Sequence, residues 1–268
     1  MLSRDHRGLP YAIDGVVVES GATGRPTPRF EWADVILTHC GDAARSALAA
    51  ASGKPSVRFA HGQVLDGDVD EADLIVWNSE SLRGRRPGIV CRPPVISADH
   101  RVNQTGDHIT LVNCSKDKGV KTAWRCAERL PHRAFLGVKG GYGNQTRPRS
   151  PNWTQMPTQR DMRAVWAETR LLLMPSAYET WGMVGVEAMC SGIPVIAHPT
   201  PGLRESLGDA GIFADRDDLD AWVAEIERLD DPSEYRAASE AALKRSVELD
   251  PTPDLDRFAD ALEALCSS

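Results

Sequence analysis

Short runs of aliphatic and β-branched residues alternate along the chain with longer stretches in which apolar positions recur every three or four residues. This is the pattern of parallel strands joined by helices rather than of an all-β or all-α protein. In the first part, 33–39, 56–60 and 73–77 read as strands. The Ala-rich stretch 42–51 reads as a helix stopped by Gly53 and Pro55. Asn78 or Ser79 stands where a cap belongs for the helix after 73–77.

Pro93-Pro94 then breaks regular structure, and the polar stretch 97–107 reads as a linker. Two domains follow from this, 1–104 and 105–268. In the second, 109–112, 134–138, 171–174 and 194–197 read as strands, and 119–130, 161–169, 184–191, 217–229, 233–248 and 254–266 as helices. The last of these is expected to pack back on the first domain. Residues 140–143 read as a flexible loop and 144–158, rich in Pro, Arg and Asn, as a long surface loop. With no internal repeat or low-complexity tract, the expected fold class is α/β, two βα domains in tandem.

Composition narrows the function. A chain of 268 residues with 41% hydrophobic and 26% charged residues has room for two cores. A net charge of −7 argues against a nucleic-acid or membrane partner, whereas a small anionic ligand needs only a local basic groove. The six cysteines, Cys40, Cys91, Cys114, Cys126, Cys190 and Cys266, lack the close pairing of a zinc or redox site and are expected as reduced thiols. No apolar run reaches ~18 residues. The opening Met1-Leu2-Ser3-Arg4-Asp5-His6-Arg7 is too polar for a signal peptide, so a cytoplasmic protein is expected.

In open α/β sheets a ligand binds outside the carboxyl ends of the strands, here the loops after Val112, Val138, Met174 and Ala197. The chain after Met174 carries Glu179, then passes Gly182 and Gly185 as it enters a helix bearing Glu187. Glycines let backbone approach a ligand, and a helix start suits a pyrophosphate. Two carboxylates so spaced can accept hydrogen bonds from hydroxyls on different parts of one extended ligand. On spacing alone, Glu179 as a helix cap and Glu187 in a surface ion pair is an equally good reading.

The neighbouring residues add a resemblance. Glu179, Gly182, Glu187, Ala188, Gly192, Pro194, Val195 and Ile196 together resemble the donor-site signature of the family 4 (group 1) retaining glycosyltransferases, and the likeness runs from about Tyr11 to the final helix. It implies the GT-B architecture, two Rossmann-like domains with parallel sheets. It also implies a nucleotide-diphosphate-sugar donor, an unidentified acceptor hydroxyl, no metal and no other cofactor, with hexosyl transfer on one face of the donor and no protein nucleophile. By residue matching, Lys118 would hold the diphosphate with Ser115 in the same loop. Glu179 would contact the transferred sugar and Glu187 the ribose, while Gly182, Met183, Val184 and Gly185 would offer backbone N–H groups. His61, in Phe59-Ala60-His61-Gly62, would lie beside the reacting sugar. The resemblance makes charge stabilisation and orientation the main tasks of these groups, not the two-carboxylate scheme of glycoside hydrolases.

Two departures from the family pattern stand out. Asn113, Cys114 and Ser115 fill the region where the family has an Arg, leaving Lys116 or Lys139, or else an Arg of the N-terminal domain, to make up the charge. The family also opens with a strand, a Gly-rich loop and a long helix before anything like 11–16, so the N-terminal domain is expected to be incomplete. A non-catalytic or partner-dependent nucleotide-sugar-binding module is therefore the alternative to an active transferase, with an epimerase of the same architecture as a third reading. Asp66-Gly67-Asp68 reads as a solvated acidic turn rather than a metal motif. Gly140-Gly141-Tyr142-Gly143 lacks dinucleotide-fingerprint spacing; by family position it would flank the base, and a plain turn is nearly as good a reading. Trp124, Trp166 and Trp222 read as core, and Pro199-Thr200-Pro201-Gly202 followed by Glu205 reads as a helix cap with Pro201 near the first turn, or else as a donor-site loop.

Overall fold

The structure, a computed structural model, describes residues 2–3, 11–13, 16–20, 31–39, 52–62 and 72–267; the stretch 42–51 and Asp66-Gly67-Asp68 lie outside them. The chain divides into two compact units, Met1–Val76 with Asp260–Ser268, and Trp77–Ala259.

In the first unit, Leu2–Ser3 (β1), Tyr11–Ile13 (β2) and Val16–Ser20 (β3) form a small sheet, parallel between β1 and β3 and antiparallel between β2 and β3. Ile36–His39 (β4) runs parallel to Ser56–Ala60 (β5), with Ile36 opposite Ser56 and His39 opposite Phe59. Leu74–Trp77 (β6) follows beside β5. Asp73 fixes its start: the carboxylate accepts from Ser56 N at 2.8 Å and Ser56 Oγ at 3.0 Å, and these bonds hold its pKa below the ordinary value.

In the second unit, Ser79 accepts from Leu82 N at 3.1 Å and caps Glu80–Arg83 (α1), one of the two caps expected. Ile89–Val90 (β7) and the helical turn Ser97–His100 (α2) follow, so that 97–107 lies inside this unit. The main body is a βα series: His108–Val112 (β8), Val120–Arg129 (α3), Phe135–Val138 (β9), Trp153–Met156 (β10), Arg163–Glu168 (α4), Thr169–Met174 (β11), Met183–Met189 (α5), Val195–Ala197 (β12), Pro201–Leu207 (α6) and Gly211–Phe213 (β13). Helices Leu219–Arg228 (α7) and Pro232–Glu248 (α8) close it, and Thr252–Cys266 (α9) follows, its residues from Asp260 onward counted with the first unit. Asp218, Asp231 and Thr200 cap α7, α8 and α6 through their side chains, with Pro232 and Pro201 in first turns.

The six parallel strands take the order β10-β9-β8-β11-β12-β13. Alternate residues of each strand enter different cores. Ile109, Leu111, Phe135, Leu171, Leu173 and Ile196 pack with α3 and α7, whereas Leu136, Val138, Leu172, Met174, Val195 and Ala197 pack with α4, α5 and α6. Burial on both faces explains why these strands read as nearly continuous apolar runs. Trp166 and Trp222 are fully buried; Trp124 is half-buried.

Two short strands depart from the sequence reading. β10 lies within the stretch expected to be a loop, and pairs with β9 from Trp153–Phe135 to Met156–Val138. β13 was hidden behind Gly211 and extends the other edge. Both are edge strands of three or four residues, too short for a period to show.

Candidate functional site

From β8 the chain proceeds outward through β9 and β10 on one side; from β11 it proceeds through β12 and β13 on the other. The order therefore reverses between β8 and β11, and the loops after these strands diverge above a crevice. A pocket of about 210 Å³ opens there, with Val112, Val138 and Met174 at its base. These are the last residues of β8, β9 and β11.

Two loops form one wall. Gly119, in left-handed backbone at φ 82°, lies so close to Pro175 that a β-carbon would collide with it. This lets Asp117 O accept from Ala177 N at 2.8 Å, joining the loop after β8 to the loop after β11. The join brings Lys118 to Glu179, where Lys118 Nζ donates to Oε1. Ser176 Oγ donates to the same oxygen at 3.0 Å. Burial disfavours the Lys118 ammonium and is the largest single influence on it. The charge and hydrogen bond of Glu179, with help from Tyr142, outweigh it and raise the Lys118 pKa.

The opposite wall comes from the loop after β9, with Lys139, Gly140 and Tyr142 lining it. Gln145 holds this loop: its Oε1 accepts from Gly140 N at 2.9 Å, and its Nε2 donates to Tyr142 O and Asn113 Oδ1, both at 2.7 Å. Asn113, at φ 65°, is the one non-glycine residue in left-handed backbone among the described residues. Its amide is covered by Gly140, whose missing side chain leaves it room, and its Nδ2 has no hydrogen-bond partner.

Of the residues singled out from sequence, Lys118, Glu179 and Val184 line this pocket together, with Lys139 from the pair named as substitute charges. Ser115 is buried beneath the 140–143 loop, and the pocket lining does not include it. Gly182, at φ 84°, packs against Leu203, and Gly185 against Met174 and Leu207; here the glycines admit neighbouring side chains. Met183 is exposed at the start of α5. Glu187 lies deeper on α5, outside that lining, with His100 Nδ1 3.9 Å from its Oε2. Burial pushes its carboxyl pKa up to about 7. His61 belongs to the first unit, where it follows β5, is exposed, and has its ring centroid 5.4 Å from that of His39.

Sequence reasoning passed over Ser176, Asn113 as a pocket residue, and Gln145. Ser176 carried a signal, standing three residues before Glu179; the Gln145 contacts join loops that sequence does not pair. Glu205, left between cap and ligand contact, accepts from Glu80 N at 2.8 Å and Ser81 N at 2.7 Å and so caps α1, while Thr200 caps α6. Burial pushes the thiol of Cys114 to about 11 and that of Cys126 to about 12, which keeps both protonated at neutral pH. No helix among the described residues is long and apolar enough to cross a membrane.

Comparison with known proteins finds likenesses in both sequence and fold. Residues 115–231 match the family model described as glycosyl transferases group 1. O-antigen chain mannosyltransferase B of Escherichia coli is 37% identical over 87 residues, covering 32% of this chain and 23% of that protein. D-inositol 3-phosphate glycosyltransferase of Salinispora tropica is 30% identical over 159 residues, covering 59% and 28%. The chain thus spans about a quarter of the length of these curated relatives. Among solved structures, Anabaena HepE in complex with UDP-glucose superposes with a TM-score of 0.79 at 17% identity, over 93% of this chain and 86% of that one. Sucrose-phosphate synthase of Thermosynechococcus elongatus gives 0.67 at 18% identity, over 87% and 74%. The fold is α/β, of the GT-B glycosyltransferase kind.

Proposed function

We propose that the protein is a retaining, metal-independent glycosyltransferase of family 4, a hexosyltransferase acting in the cytoplasm on a nucleotide-diphosphate sugar and an acceptor hydroxyl. The observation that carries this reading is the Lys118–Glu179 pair in a pocket at the strand-order reversal of a parallel sheet. The family match over 115–231 supports it, as does the UDP-glucose held by HepE.

In this reading the diphosphate lies against Lys118 and Lys139, whose charges stabilise the leaving group as the glycosidic bond breaks. Glu179 accepts from sugar hydroxyls and orients the ring, and the backbone around Val184 borders the sugar and phosphate. Glu187 takes the ribose. The leaving diphosphate oxygen receives the acceptor's proton as the hydroxyl attacks the face it vacates, so configuration is retained without a protein nucleophile. Glu179, tied to Lys118, is built for orientation.

The test is transfer from UDP-, GDP- and ADP-hexoses to simple alcohol and glycoside acceptors, with EDTA present and the product anomer read by NMR. Turnover with retention in EDTA is the expected result, and Lys118→Ala should lower kcat/KM by about 100-fold. An inverted product or a metal requirement would overturn the corresponding part. Nucleotide-sugar binding without turnover across the panel would instead establish a non-catalytic binding module.

A further inference from the structure

We propose that Ser176 is a positioning residue that occupies one oxygen of Glu179 and leaves the other to select a hydroxyl-bearing ligand. The inference rests on the sugar-binding reading of Glu179 given above.

A carboxylate oxygen has two in-plane lone pairs. Those of Glu179 Oε1 are taken by Lys118 Nζ and by Ser176 Oγ at 3.0 Å, whereas Oε2 makes no hydrogen bond among the described residues. The terminal torsion of a glutamate is soft, and a lysine stem is flexible, so Lys118 alone would let the carboxylate turn. Ser176 removes that freedom. It is 2% exposed, and its backbone is fixed on both sides: Ala177 N is bonded to Asp117 O at 2.8 Å, and Pro175 sits against Gly119. Two donors from separate loops therefore set the carboxylate plane, and both lone pairs of Oε2 remain for the ligand. A vicinal pair of sugar hydroxyls is the matching group, one that a nucleoside diphosphate lacks beyond its phosphates.

Ser176 should accordingly affect preference for a nucleotide sugar over the matching nucleoside diphosphate, rather than nucleotide affinity as a whole. Titration calorimetry with UDP-glucose against UDP, GDP-mannose against GDP and ADP-glucose against ADP reads that preference directly. For the pair that binds, Ser176→Ala should weaken the nucleotide sugar about tenfold, the loss expected for a hydrogen bond to a charged group, and leave the nucleoside diphosphate within about twofold. In a Glu179→Ala background, where the acceptor is gone, the same substitution should add no further loss, a result that general loosening of the loop would not give. Equal weakening of both ligands, or of neither, overturns the role of Ser176 while leaving the proposed function intact. A wild-type protein that binds a nucleoside diphosphate but gains nothing from the sugar overturns the reading of Glu179 and the inference with it. Binding of no member of any pair removes the proposed function itself.

Discussion

Burial takes the Glu187 carboxyl from its ordinary pKa of 4.5 to about 7, with His100 Nδ1 3.9 Å from its Oε2. The folded-state value lies above that of the unfolded chain, so the folded protein holds its proton longer. The associated stability is complete below about pH 4.5 and is lost as pH rises through about 7, by about 3 kcal/mol over that window. Glu187→Gln carries no such titration. Thermal melts between about pH 5 and about pH 8 should show the wild-type protein losing stability relative to the variant as pH rises; parallel curves would count against the assignment. Glu179 and Glu187 were legible as a pair through their spacing and neighbours. Their different surroundings were not. One is tied into a two-donor clamp and the other is desolvated beside α2, because the partners come from loops and turns 61 and 87 positions away (118 to 179, 100 to 187).

At the scale of elements, periodicity found the long helices to within about two residues: 119–130 became Val120–Arg129, and 233–248 became Pro232–Glu248. It failed at β10, where only Trp153 of the four residues is buried and the flanking composition reads as a surface loop. What fixes that strand is a side chain rather than a pattern. Asn152 Nδ2 donates to the carbonyls of Ala127 and Leu130 at 3.0 Å and Arg133 at 2.9 Å, closing the end of α3, while its own carbonyl accepts from Phe135 N at 2.8 Å. Asn152→Asp would set an acceptor against three acceptors. We expect it to lower stability by about 2–3 kcal/mol in urea unfolding with little change in slope, whereas Gln145→Ala, on the exposed 140–145 loop, should cost less than about 1 kcal/mol.

For the molecule as a whole, sequence conveyed the α/β class and the strands that carry the site. It did not convey how distant segments of the second unit are tied. Asp254 accepts from Arg92 N at 3.0 Å and from the Arg92 guanidinium, and Glu205 caps α1 across 125 positions. Asp254→Ala removes the carboxylate that Arg92 N and Nη1 share and should cost about 2–4 kcal/mol in equilibrium unfolding; an unchanged midpoint would mean that the tie contributes nothing net. The meeting of Gly119 with Pro175 has a reach of its own. Because the two loops share a backbone bond and a steric fit, neither can be exchanged alone: a chimaera carrying a relative's loop after β8 must also carry that relative's loop after β11. On the proposed function, donor preference is then inherited by pairs of segments, and a programme of loop grafting or directed diversification should vary both together.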